Sequence, residues 1–254
     1  MSKTKIILIA VICILLVATI VFGVLFINNQ VQINKYKNIP LNLPDDFTYT
    51  GHTGCMDTED NSLESIDIAV KYGAQIVEFD LNFNSENEPV LAHDDPKGGE
   101  VTLDEAFERV SKYDGLKVNV DVKNTQALEK VAPLAEKHGI LDRIFYTGIT
   151  ENDVEVVRND SPKVEYYLNM DVLSPKKHTE EYLLSLVQKV KDCGAIGINF
   201  NKDNASKELV DTFHENGLLV SIWTVSNDKD IYRILSYAPD NITTRRPDKL
   251  QEVL

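Results

Sequence analysis

The chain has 254 residues, 43% of them hydrophobic and 26% charged, with a formal net charge of −14. That is an ordinary globular composition with room for one large domain or two small ones. The acidic balance excludes binding to nucleic acid or to an anionic membrane surface through bulk charge. A phosphate-bearing substrate stays open, because a bound cation inverts the field locally.

The first element is apolar. Lys3 and Lys5 precede an almost unbroken run from Ile6 to Ile27, and a helix needs roughly 20 apolar residues to cross the hydrocarbon core. A cleaved signal has a shorter apolar core and a small-residue cleavage site, whereas this run ends in Gly23-Val24-Leu25-Phe26-Ile27. The pattern predicts an uncleaved transmembrane signal anchor at 6–27. By the positive-inside rule, residues 1–5 would lie in the cytosol and everything beyond the span outside it. Residues 28–45 are polar and Asn-rich, with Pro40 and Pro44, and read as a stalk; 46–254 would form the outer domain.

In that domain strand and helix patterns alternate. Strands are expected at Phe47–His52, Gln75–Leu81, Leu116–Val122, Arg143–Thr147, Val164–Leu168, Ala195–Phe200, Leu218–Thr224 and Asn241–Thr244. Asn61 followed by Glu64 resembles a helix N-cap with its capping-box partner. Leu63, Ile66, Ala69 and Val70 then supply a helical apolar face, and Gly73 a stop signal. Further helices are expected at Leu103–Val110, Thr179–Lys191 and Ser206–Asn216. Eight strands mostly separated by helices predict a parallel sheet, and a closed (β/α)8 TIM barrel is the best match; an open doubly wound sheet is the alternative. No G-x-G-x-x-G or P-loop pattern supports nucleotide binding. Cys55 should follow the first strand and Cys193 precede the strand at Ala195, at opposite ends of the barrel, so no disulfide is expected between them.

Chemistry-bearing residues sit near strand ends: His52, Glu78 and Asp80, His93, and Asp121 with Lys123. Buried charge is costly unless paired or metal-bound, and a barrel enzyme assembles its site from several strand ends. Glu78 and Asp80, two apart on a strand, share one face. They would repel unless a cation lies between them. Oxygen donors suit Mg²⁺ or Ca²⁺, and Asp121 on the next strand could be a third ligand. Two histidines beside such an ion suit general acid–base chemistry on a phosphodiester, with the ion and Lys123 stabilising charge on the phosphoryl oxygens.

The order of these motifs resembles the glycerophosphodiester phosphodiesterase family. The corresponding stretches are His52-Thr53-Gly54, Asp60-Asn61-Ser62, Glu78-Phe79-Asp80, His93-Asp94, Asp121-Val122-Lys123, Trp223-Thr224 and Thr244-Arg245-Arg246-Pro247. They span about Thr48 to Asp248. The resemblance implies a (β/α)8 barrel and metal-dependent hydrolysis of a small-molecule or lipid-derived phosphodiester to a phosphomonoester and an alcohol. It implies Glu78, Asp80 and Asp121 as ligands of one divalent cation and His52 and His93 as the acid–base pair. Lys123, Asn61 and Trp223 would contact the substrate.

The departures are specific. Thr53 stands where the family has an arginine, and threonine cannot replace a bidentate guanidinium. Asp60 and Asp121 replace glutamates, and Arg245 stands where aspartate is common. Lys97, in the loop after His93, could return a positive charge to the phosphate. The missing arginine and the aspartate ligand also resemble the sphingomyelinase D and phospholipase D toxins of the same superfamily, which release the headgroup and leave a cyclic phosphate. Loss of the arginine fits a third reading, an inactive anchored barrel that only binds.

Overall fold

The computed structural model describes residues 2–254; Met1, first residue of the segment read as cytosolic, lies outside them. The chain opens on one helix, α1 (Lys3–Lys37), capped by Ser2, whose hydroxyl accepts from the Lys5 N–H. Its apolar side chains between Val11 and Ile27 are exposed, and it is long and apolar enough to cross a membrane. The helix runs past Ile27 to Lys37 because no proline or glycine interrupts 28–37. Its last turns meet the following domain. Ile33 is buried, the Tyr36 ring meets Tyr237 edge-on at 6.4 Å, and the Lys37 ammonium lies 5.8 Å from the Tyr232 ring centre.

Strands and helices then alternate: β1 (Thr48–Gly51), α2 (Leu63–Lys71), β2 (Ile76–Phe83), β3 (Pro89–Leu91), α3 (Leu103–Ser111), β4 (Lys117–Val122), α4 (Val131–Lys137), β5 (Ile144–Ile149), α5 (Val154–Asp160), β6 (Glu165–Asn169), α6 (Glu180–Cys193), β7 (Gly197–Asn201), α7 (Lys207–Glu215), β8 (Leu219–Trp223), α8 (Asp228–Leu235), β9 (Asn241–Thr244) and α9 (Pro247–Val253). Every strand except β3 is parallel to its neighbours. β1 pairs with both β2 and β9, which closes the sheet into the expected eight-stranded barrel.

Alternation along each strand divides lumen from helix layer. On β2, Val77, Phe79 and Leu81 pack outward, with Phe79 against Phe107 of α3 at 6.2 Å between ring centres, while Glu78 and Asp80 point inward. Residues on α3 (Leu103, Ala106, Phe107, Val110) and α7 (Leu209, Val210, Phe213) repeat at helical spacing and are fully buried.

Two local expectations change. The cap of α2 is Ser62, whose hydroxyl accepts from Ser65 N at 3.2 Å. Asn61 instead adopts φ 58°, a left-handed backbone that asparagine tolerates and an N-cap does not use. The antiparallel strand β3 lies outside the strands that the sequence pattern predicts. The Asn84 side chain accepts from the N–H groups of Glu86 and Glu88, folding β2 back into a hairpin that delivers His93 to the barrel mouth. Three residues starting with proline are too short to show a period. The cysteines are free, and burial pushes the Cys55 thiol up to about 11.

Gly197 pairs with Leu219 on β8, and a Cβ there would lie 2.1 Å from the Leu219 carbonyl oxygen. A backbone atom inside a closed sheet cannot move aside. Gly197→Ala should therefore destabilise the fold by about 3 kcal/mol, the upper end of overpacking, read by urea denaturation. A change within about 0.5 kcal/mol, as at an ordinary surface site, would contradict this packing.

Candidate active site

The C-terminal ends of the barrel strands surround a cavity of about 490 Å³. His52, Glu78, Asp80, His93, Asp121, Lys123 and Trp223 all line it. Two residues singled out in the sequence do not. Lys97 is exposed on the loop after β3, its N–H donating to Glu100, and Asn61 lies behind the wall, bonded to Asp80.

The acidic cluster follows from strand register. Parallel pairing of β2 with β4 sets Asp80 beside Asp121 and Glu78 beside Asn119. One oxygen from each of Glu78, Asp80 and Asp121 lies within 4.8 Å of the others, so the shorter Asp121 side chain still reaches. Glu78 accepts from the Thr53 N–H at 2.8 Å. Burial, then the charges of Asp80 and Asp121, raise its carboxyl well above the usual range. Asp80 is clasped by Asn61, whose amide donates to Oδ2 at 2.9 Å and whose carbonyl accepts from Asp80 N at 3.0 Å. The Thr147 hydroxyl donates to Asp121 Oδ1 at 2.6 Å.

Lys123 Nζ bridges Asp80 Oδ1 at 2.8 Å and Asp121 Oδ2 at 2.5 Å. Burial works to lower its ammonium, and Asp121 and Asp80 more than offset that, holding it above its usual range. One cation facing three carboxylates leaves an excess of negative charge. Hard oxygen donors on rigid strands, one of them held above the usual carboxylate range for want of a counter-charge, could hold a divalent cation.

The two histidines differ in surroundings. His52 follows β1, and its Nδ1–H donates to the Thr53 carbonyl at 2.8 Å, 3.6 Å from Glu78 Oε2. A carbonyl only accepts, so the Nδ1 proton is assigned and Nε2 is left with its lone pair. Burial lowers the imidazole pKa against the opposing effect of that hydrogen bond, and the nearby Arg245 charge lowers it further. His93 is exposed at the rim, with Nδ1 3.0 Å from Asp94 Oδ1. That hydrogen bond pulls the Asp94 carboxyl down.

Residues that no motif marks complete the walls: Asn119, Thr147, Asn169, Asn199 and Thr243 line the cavity together with Asp60 and Arg245 from the motif stretches. Most are polar residues at alternate positions near strand ends, a signal available in the sequence. Gly148 N and Asn199 Nδ2 both donate to Asn169 Oδ1 at 3.0 Å. The Asn199 Oδ1 and Trp223 Nε1 atoms are buried without a partner among the described residues. Thr53, the departure from the family's arginine, is 2% exposed. Its N–H serves Glu78, its carbonyl serves His52, and its hydroxyl accepts from Asn61 N. It organises the site from behind.

Because the Glu78 pKa is raised in the fold, its own contribution to the stability of metal-free protein should be full below the ordinary carboxylate range and be lost as pH rises through the raised value. Thermal unfolding in chelator from pH 4 to 8 should therefore show wild type losing stability relative to Glu78→Gln, which still accepts from Thr53, as pH rises. Parallel curves for the two proteins would contradict the assignment.

The glycerophosphoryl diester phosphodiesterase family profile matches residues 48–110 and 96–249. A glycerophosphodiester phosphodiesterase from Bacillus altitudinis is 24% identical over 157 residues, covering 59% of this chain and 61% of that protein. The match thus spans about three fifths of the relative's length. Among solved structures, a glycerophosphodiester phosphodiesterase from Thermotoga maritima superposes with a TM-score of 0.64 at 20% identity, covering 82% of this chain and 98% of that one. A phosphodiesterase from Oleispira antarctica, solved with the product sn-glycerol-3-phosphate, gives 0.67 at 17% identity, covering 83% and 96%. These two likenesses establish the shared fold, and the profile match over most of the barrel establishes the lineage: the chain belongs to the glycerophosphoryl diester phosphodiesterase family.

Proposed function

We propose that this protein hydrolyses glycerophosphodiesters, or closely related small or lipid-derived phosphodiesters, to a phosphomonoester and an alcohol. The observation that carries the reading is the convergence of His52, His93, Lys123 and three carboxylates on one cavity at the C-terminal mouth of the barrel. Family membership supports the reaction class. The glycerol phosphate held by the Oleispira antarctica protein supports the product class.

Glu78, Asp80 and Asp121 would hold a divalent cation, Mg²⁺ or Ca²⁺, which when bound supplies charge neutralisation and polarises a phosphoryl oxygen. His52 is suited to the base: Nε2 takes the proton of the substrate's neighbouring hydroxyl as the new O–P bond forms, and water then adds to the resulting cyclic phosphate and breaks that bond, leaving the phosphomonoester. His93, its other nitrogen held by Asp94, is suited to the acid, protonating the alcohol oxygen as its P–O bond breaks. Lys123, a cation at all physiological pH values, would contact the phosphoryl oxygens. Asn61 positions Asp80, and Trp223 walls the substrate. Lys97 has no part in this scheme.

In the same reading α1 is a retained membrane anchor, with 1–5 in the cytosol and the barrel outside. Its last turns pack on the barrel through Ile33, Tyr36 and Lys37, contacts that a cleaved leader would not need.

The test is product analysis by mass spectrometry with the full chain in detergent. The substrates are glycerophosphocholine, glycerophosphoethanolamine and lysophosphatidylcholine, each with Mg²⁺, Ca²⁺ or chelator. Cation-dependent release of glycerol phosphate from the first two is expected. His52→Ala and His93→Ala should each lower kcat about 10²- to 10⁴-fold. Turnover unchanged in chelator would remove the metal role, and wild-type rates in the variants would remove the histidines. A cyclic phosphate from the lysolipid alone would move the protein to the headgroup-releasing class.

A further inference from the structure

We propose that Arg245 is the anion clamp of this cavity, the residue that grips the phosphate oxygens of the substrate. This deepens the hydrolase reading and rests on it only for the identity of the ligand.

The argument begins with charge. Glu78, Asp80, Asp121 and Asp60 all line the cavity, a hostile wall for a phosphate, and the fixed cations lining it are Lys123 and Arg245. The Lys123 ammonium is engaged by two aspartates. The Arg245 guanidinium meets one partner, Nη1 to Asp60 Oδ1 at 2.8 Å. A guanidinium carries five N–H donors in a planar fork, so on this residue lining the cavity most of that capacity is unspent among the described residues. Thr53 is buried, so the position after His52 offers no competing side chain.

The clamp is built into the site. Arg245 N donates to Ser226 Oγ at 3.0 Å, and its carbonyl accepts from Met56 N at 2.9 Å. The preceding carbonyl, of Thr244, accepts from His52 N at 2.8 Å. The backbone that sets His52 therefore also sets Arg245. Gly54, in a left-handed backbone at φ 68°, leaves room for the pair: a Cβ there would lie 1.9 Å from Asp60 Oδ1 and 2.7 Å from Arg245 Nη1. An ion pair with 43% and 55% side-chain exposure contributes little to stability. Trp223 lines the same cavity. The planar guanidinium fork fits the oxygens of a phosphoryl group.

The experiment uses the full chain in detergent with Mg²⁺. Inorganic phosphate and sn-glycerol 3-phosphate serve as probes in calorimetric titrations, since neither is turned over. Arg245→Ala should weaken both about 10- to 100-fold, the loss of a charged hydrogen-bonding partner, and raise KM in proportion, with the unfolding midpoint unchanged. Arg245→Lys should recover affinity only in part. Asp60→Asn, which frees the fork while keeping a polar neighbour, should bind phosphate at least as tightly as wild type. Equal phosphate affinity in wild type and Arg245→Ala, or no phosphate binding by wild type, would overturn the clamp. Arg245-dependent phosphate binding without diester turnover would leave the clamp standing and sink the hydrolase reading alone.

Discussion

The constraint on which the site depends is electrostatic. Parallel pairing of β2 and β4 places Asp80 beside Asp121 in a buried barrel mouth, with Glu78 two residues away on the same face. Like charges so close in a low-dielectric surrounding cannot all stay ionised without a counter-ion. Lys123 supplies one positive charge, and Glu78 is held toward its protonated form. The neighbouring loops answer the same demand. Asn61 takes a left-handed backbone to hold Asp80, Thr53 turns its N–H to Glu78, and Thr147 donates to Asp121. What resembles a set of separate motifs along the chain is one network for managing three carboxylates.

That network also separates the two histidines. His52 hangs on the Thr53 carbonyl in a desolvated position that favours the neutral ring, and His93 sits at the rim beside an ionised carboxylate. Burial lowers the His52 imidazole pKa, while His93 stands in the open with Nδ1 held by Asp94. The hairpin of β2 and β3 carries this asymmetry, since it holds His93 out over the mouth.

The barrel was legible because its period is strong. Each parallel strand is a short apolar run, and E-x-D on β2 stands out since alternation sends both acids to the lumen. The strand β3 was invisible because three residues carry no period. Asn61 read as a cap from its spacing to Glu64, but its amide had a better partner in Asp80, which local sequence cannot reveal. In the linear sequence Thr53 reads as a loss because its side chain lacks an arginine's reach, whereas its backbone and hydroxyl do the organising. Arg245 read as a mismatch in a linear motif; only closure of β9 against β1 brings it beside Asp60 and His52.

The measurement that bears most directly on this network is anomalous diffraction from crystals of the full chain soaked in Mn²⁺, a spectroscopic stand-in for Mg²⁺. The network predicts one peak between the carboxylates of Glu78, Asp80 and Asp121, with Lys123 drawn away from at least one of its two aspartates. A mouth with Lys123 still bridging Asp80 and Asp121 and no ion between the acids, or a peak bound elsewhere, would contradict it.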